Sequence, residues 1–174
     1  KEIIMYNIPV ENVRNFVLGG HSGSGKTALT DALAYKLGLN DRLGSPANGT
    51  SISDFTEEEK ARKISLFSTT FSSKYAVNGK EHFLYFTDAP GYMDFYGQLR
   101  SASRAADSGV LVVDAAGGIQ VGTRRAWRCF KQTDVVSRAI VVTGLDKENT
   151  DFVKIIEAIR GAFGIGCIPV AFPN

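Results

Sequence analysis

Cysteine is scarce, long apolar runs are missing, and positive and negative charges nearly cancel. The 174 residues contain only two cysteines, Cys129 and Cys167, far apart and without CxxC spacing. That excludes a disulfide framework and a thiolate zinc site, and it fits a reducing cytoplasm. Both cysteines stand among apolar neighbours and read as small core fillers. No apolar run approaches the ~18 residues needed to cross a membrane, and no signal peptide is visible. A net charge of +2 is too small to argue for nucleic acid as a partner. The basic run Arg124, Arg125 and Arg128 reads as a solvated helix face. Internal repeats and low-complexity tracts are absent. What remains is an ordinary globular balance, 44% apolar and 22% charged, in a length that buries a core unaided. The expectation is one cytoplasmic, monomeric domain over residues 1–174, with a lead-in at 1–14. Because the first residue is Lys1 rather than methionine, the chain is expected to be a fragment, its domain incomplete after 174.

Periodicity supplies the elements. Asn15 to Gly19 is a short apolar run entering a glycine-rich turn. Ala28 to Leu37 follows with helical spacing at Leu29, Leu33, Ala34 and Leu37, and Gly38 is a plausible stop. From Asn40 to Lys63 the pattern dissolves, which marks a functional loop. Ser65 to Val77 alternates as a strand does. Asn78-Gly79 is a hairpin turn signal, and Glu81 to Thr87 returns as a second strand. Beyond it, strands at Gly109–Val113, Ala139–Thr143 and Ile168–Phe172 alternate with helices at Thr123–Gln132 and Phe152–Phe163. This order predicts an α/β fold of the P-loop NTPase type, a doubly wound, mostly parallel sheet with an antiparallel edge hairpin.

Gly20-His21-Ser22-Gly23-Ser24-Gly25-Lys26-Thr27 matches GxxxxGK[ST], a pattern expected by accident in on the order of one chain in a hundred. An apolar strand precedes it and a helix follows, the context that the pattern requires. Phosphate oxygens must approach the main chain closely enough to accept several N–H bonds, and side chains at Gly20, Gly23 and Gly25 would block them. The helix start, at Gly25 to Ala28, turns free N–H groups and a positive dipole end toward the anion. Lys26 supplies a point charge to the β- and γ-phosphates, and the Thr27 hydroxyl is a magnesium ligand. His21 reads as a loop-packing residue rather than a base. A second acid, Asp88, opens Asp88-Ala89-Pro90-Gly91-Tyr92 at the end of an apolar strand. There it reaches a magnesium shell, and Gly91 offers a backbone N–H to a γ-phosphate. Alone, DxxG is a weak signal; after a phosphate loop and a hairpin it is a strong one.

With these residues in place, the chain from about Asn15 to Pro173 resembles the translational GTPases, nearest to elongation factor G and its paralogues. That family reads DTPGH where this chain reads Asp88 to Tyr92. It carries GGVQ followed by tryptophan where this chain has Gly117-Gly118-Ile119-Gln120 and Trp127. Leu145-Asp146-Lys147, with Asp151-Phe152 after it, falls where the family has NKMDR and then DF. The resemblance implies GTP and GDP as ligands, magnesium as the metal, and the ribosome, its RNA and proteins, as partner. It makes Ser65, after Lys63-Ile64, the counterpart of the first-switch threonine that holds magnesium. Ser65 also reads as part of a strand beginning near Arg62, a purely structural alternative. Thr143, Asp146 and Lys147 are the implied base-recognition residues, and Lys26, Gly91 and Tyr92 the implied catalytic ones.

Three departures separate the chain from the pattern. Tyr92 replaces the histidine that positions water, and a hydroxyl with a pKa of ~10 assists less readily near neutrality. Gly23 replaces an acidic residue of the phosphate loop. Thr143-Gly144-Leu145-Asp146 replaces NKxD, so the asparagine and the lysine stem over the base are lost, although Asp146 still matches guanine N1–H and its 2-amino group. Three functions follow: a ribosome-acting GTPase, a GTP-binding module with weak or no hydrolysis whose partner reads the nucleotide state, and an ATPase of another P-loop class.

Overall fold

The computed structural model describes residues 9–133, 135–148 and 150–172. Positions 1–8 of the lead-in expected at 1–14, and the last two positions, therefore lie outside the described residues. A 3-10 turn at Val10–Asn12 leads into β1 (Val13–Gly20), and α1 (Lys26–Lys36) follows the glycine-rich turn. A short α2 (Glu57–Arg62) precedes the hairpin of β2 (Thr69–Val77) and β3 (Lys80–Asp88). Then α3 (Tyr96–Ala105), β4 (Ser108–Asp114), α4 (Val121–Gln132), β5 (Ser137–Thr143) and α5 (Phe152–Phe163) complete the order.

Among the described residues the sheet runs β2-β3-β1-β4-β5. The β2–β3 pair is antiparallel, and β3, β1, β4 and β5 are parallel. Asn78 and Gly79 carry φ of 51° and 77°, the paired left-handed residues that suit a two-residue hairpin turn. The two faces bury separate cores. Leu18, Phe86 and Val112 pack with Ala34 of α1 on one side. Val17, Leu111 and Val113 pack with Leu99, Ala126, Phe130 and Ile159 of α3, α4 and α5 on the other. Phe130 lies so close to the sheet that a Cβ at Gly19 or at Gly109 would come within 2.8 Å of its ring. Helices leave β1 and β3 on opposite faces, so the crevice at the carboxyl ends of these strands is the natural ligand position.

Four expectations are corrected. The segment 40–63 is not structureless, because Thr56 and Glu59 close a reciprocal capping box that starts α2, and Pro46–Asn48 makes a 3-10 turn. The strand expected from Ser65, with its alternative start near Arg62, begins only at Thr69. The N–H groups of Leu66 and Phe67 are donated to the Glu59 carboxylate, and that of Ser68 to Gln98, so no ladder forms there. No strand forms at Ile168–Phe172, since no neighbouring strand pairs with it among the described residues; Ile168, Val170 and Phe172 are exposed. In the basic run, Arg125 is half-buried with its guanidinium 4.2 Å from the Tyr96 ring centroid, while Arg124 faces solvent.

Candidate functional site

The carboxyl ends of β1, β3, β4 and β5 bring Gly20, Asp88, Asp114 and Thr143 to one edge of the sheet. From β1 the chain turns through the phosphate loop, where Gly23 and Gly25 adopt left-handed φ of 75° and 86°. An L side chain is strained at both. Gly25 caps α1, so the free N–H groups of the first turn open toward the loop. Lys26 is buried, and its ammonium donates to the His21 carbonyl at 2.7 Å and the Gly20 carbonyl at 3.4 Å. Burial pulls its pKa down to about 8, and the nearby Asp88 carboxylate only partly restores it. Asp88 is fully buried. Desolvation pushes its pKa up to about 6, against the Ser53 hydroxyl and the Lys26 ammonium, which lower it.

The DxxG segment closes on this loop. A Cβ added to Gly91 would collide with Lys26 Nζ and lie 2.7 Å from the Ser22 nitrogen. Only glycine lets the main chain pass this close to the phosphate loop. Tyr92, next along, is exposed, as are Gly23 and Ala28. Ser22, Gly25, Lys26, Thr27, Ser65, Gly91 and Tyr92 line one cavity of about 350 Å³. A second cavity, of about 320 Å³, lies between α3 and the hairpin, lined by Asn15, Ser68, Thr70, Gln98 and other uncharged residues.

Hydroxyl oxygens gather beside Lys26. Thr27 Oγ1 and Ser65 Oγ are 3.1 Å apart, and Ser65 Oγ donates to Asp54 Oδ1 at 2.7 Å. Ser53 Oγ donates to Asp88 Oδ2 at 2.8 Å, while Asp88 Oδ1 is buried without a partner among the described residues. Ser24 Oγ, beside the loop, is likewise buried and unpartnered. Two hydroxyls and one carboxylate with an unused oxygen form a hard, sparse donor set. It fits magnesium, which keeps several waters, and it does not resemble a site built from His and Cys ligands. Among the described residues no cluster of three or more His, Cys, Asp or Glu side chains forms a metal site of that kind.

The expected base-recognition residues divide. Thr143 Oγ1 donates to the Ser24 carbonyl at 2.8 Å, so this hydroxyl braces the phosphate loop. Asp146 is exposed beyond the turn at Gly144, which has φ of 67°. Lys147 bonds Asp114 Oδ1 at 2.6 Å, and its Cε and Cδ lie 3.0 and 3.1 Å from where a Cβ at Gly144 would stand. The Lys147 stem thus fills space that a side chain at Gly144 would need. His21 packs inward against Gly122 of α4, with Nδ1 buried and unpartnered.

Sequence reasoning missed Ser53, Asp54, Glu59 and Asp31. Asp31 of α1 accepts from the Ile52 N–H at 3.0 Å and holds the loop above. The Thr56-x-x-Glu59 spacing was the available signal, because serine or threonine three residues before glutamate marks a helix start.

The elongation factor Tu GTP-binding domain model matches residues 11–167. An elongation factor G-like protein from Mycobacterium tuberculosis is 36% identical over 165 residues, covering 93% of this chain and 22% of that protein. A crystal structure of a protein from Thermus thermophilus aligns with a TM-score of 0.77 at 40% identity, over 87% of this chain and 22% of that one. A bacterial selenocysteine-specific elongation factor, EF-Sec, shares the fold with a TM-score of 0.64 at 23% identity, over 85% of this chain and 23% of its own. The chain thus spans 22 to 23% of the length of these relatives. No helix among the described residues is long and apolar enough to cross a membrane.

Proposed function

The chain belongs to the elongation factor Tu GTP-binding domain family, and from that premise we propose that it is the GTP-hydrolysing domain of a factor that acts on the ribosome. Members of this family bind GTP and GDP with magnesium. One observation carries the reading. Lys26, Thr27, Ser65, Gly91 and Tyr92, from three segments far apart in sequence, line a single cavity, and the buried Asp88 interacts with Lys26 and Thr27 of that lining.

In this reading the main chain from Gly20 to Ala28 cradles the α- and β-phosphates, and Lys26 bridges to the terminal one. Thr27, Ser65 and Asp88 hold magnesium, which when bound offsets charge on the transferred phosphoryl group. The Gly91 N–H would sense the terminal phosphate, and Tyr92 would take the place of the group that positions the attacking water. Asp146 accepts from guanine N1–H and its amino group, with Thr143 and Lys147 shaping the loop around it. Little covalent chemistry falls to the protein, so catalysis is positioning and electrostatic stabilisation.

Multiple-turnover phosphate release by the full-length protein, with and without ribosomes, tests hydrolysis; turnover stimulated by ribosomes is the expected result. GTP competed against ATP tests the base, with GTP preferred. Asp146→Asn is expected to move that preference toward xanthosine triphosphate, whose carbonyl replaces the amino donor. An unchanged preference for GTP would show that Asp146 does not read the base. Tyr92, standing where the family has histidine, favours a second reading, a domain that binds GTP but turns it over weakly. Intact GTP binding without ribosome-stimulated phosphate release would select it.

A further inference from the structure

Glu59 is a charged side chain with no solvent exposure, and no cation pairs with it among the described residues. Four neutral donors satisfy it instead. Oε2 accepts from the Thr56 N–H at 3.0 Å and the Thr56 hydroxyl at 2.8 Å. Oε1 accepts from the N–H groups of Leu66 at 2.9 Å and Phe67 at 3.1 Å. Burial alone would push its pKa up, but these hydrogen bonds together hold it below the ordinary glutamate value.

An ordinary capping box accounts for only half of this. Its glutamate reaches back to the cap N–H and stops there. Here the other oxygen reaches forward seven and eight residues, past the left-handed Lys63, to the two residues after Ser65. The backward half fixes Thr56, two residues from Asp54, which accepts the Ser65 hydroxyl. The forward half fixes the main chain immediately following Ser65. One carboxylate therefore holds both sides of the hydroxyl that stands 3.1 Å from Thr27 Oγ1.

We propose that Glu59 is a positioning residue for the metal site, keeping the Ser65 hydroxyl beside Thr27 and so coupling the first loop to the triphosphate state. The proposal rests on the GTP–magnesium reading above and names a residue outside its ligand set. A neutral amide cannot replace the carboxylate, because the NH₂ of glutamine would face two donors where the carboxylate offers lone pairs.

The test is magnesium-dependent dissociation of fluorescent GTP and GDP from the full-length protein and its Glu59→Gln, Ser65→Ala and doubly substituted variants. Glu59→Gln is expected to raise the magnesium concentration that half-maximally retains GTP by roughly tenfold, with GDP changed by less than about twofold. Ser65→Ala should reproduce that split, and the double variant should be no worse than the worse single one, as expected for residues acting as one unit. Equal shifts for GTP and GDP, or additive effects in the double variant, would overturn the proposal. Should Glu59→Gln fail to fold, Glu59→Asp keeps the charge on an arm one methylene shorter. The same GTP-selective shift is then expected, and wild-type behaviour would overturn the role. A wild-type protein that retains GTP with no dependence on magnesium overturns both readings, and its own flat baseline distinguishes that case.

Discussion

Lys26 carries an ammonium group into a space that excludes water, where its hydrogen bonds go to two main-chain carbonyls. The nucleotide-free domain bears that burial as a cost, and the pKa of about 8 reports it. The unfolded chain keeps the ordinary value of 10.5. Below pH 8 both states are protonated and the cost is complete. Between pH 8 and 10.5 the folded state sheds its proton first, so this group's cost falls as pH rises. Lys26→Met is expected to abolish nucleotide binding and yet stabilise the free domain near neutrality, by on the order of 3 kcal/mol. Chemical denaturation from pH 7 to 10 should show that gain level up to about pH 8 and shrinking above it; a gain independent of pH would place its origin elsewhere. Tyr92 is a different kind of residue, exposed at the cavity and proposed above to stand where hydrolysis takes place. Restoring an imidazole by Tyr92→His is expected to raise ribosome-stimulated phosphate release at least tenfold, within the usual range of a general acid–base group, while GDP affinity stays the same. Single-turnover phosphate release measures the first and fluorescent-nucleotide titration the second.

At the scale of elements, what sequence made legible follows the origin of each bond. Strands and helices whose apolar residues recur at a fixed period were visible, because periodic burial leaves a periodic sequence: β1, β4, β5, α4 and α5 all fell within a few residues of their expected bounds. The loop with motif residues Gly20 to Thr27 was visible for a different reason, since only certain residue types let an anion reach the main chain. The helix inside the loop read over 40–63 and the late start of the strand expected from Ser65 were missed because their order comes from side chain to main chain bonds that have no period. Asp31 holds Ile52, and Glu59 holds Leu66 and Phe67, across gaps that composition does not reveal. The cap on α2 is the smallest testable part of that network. Thr56→Ala removes the hydroxyl that accepts from the Glu59 N–H at 3.2 Å. It is expected to cost about 1 kcal/mol locally. Hydrogen exchange at the Lys60 and Ile64 amides should speed up about fivefold, with the β1 and β4 amides unchanged. The Ile168–Phe172 error has a complementary cause: alternation states which residues suit a strand, but the ladder partner has to come from elsewhere in the fold.

For the molecule as a whole, the site and the sheet are thermodynamically one object. The groups proposed to hold nucleotide include buried charges and an unpartnered carboxylate oxygen, so occupancy and folding are linked. GDP with magnesium at a hundred times its dissociation constant is expected to add about 2.7 kcal/mol of stability. In a domain of this size that corresponds to roughly 5–10 °C in melting temperature. Differential scanning fluorimetry at several GDP concentrations measures it, and a melting point indifferent to GDP would contradict the assigned site. Legibility at this scale was high for the fold class, a mostly parallel sheet with an antiparallel edge hairpin, since few topologies join these elements with right-handed crossovers. It was low for the seating of the strands against one another.

One phenyl ring sits directly on two of those strands. Phe130 rests on bare main chain because Gly19 and Gly109, on adjacent strands, offer no side chains between the ring and the backbone. The ring works as a rivet through two neighbouring planks, one of which ends in the anion-gripping turn while the other ends at Asp114. Prising those planks apart means drawing the rivet, so one side chain of α4 ties the strand that runs into Gly20 to the strand that ends at Asp114.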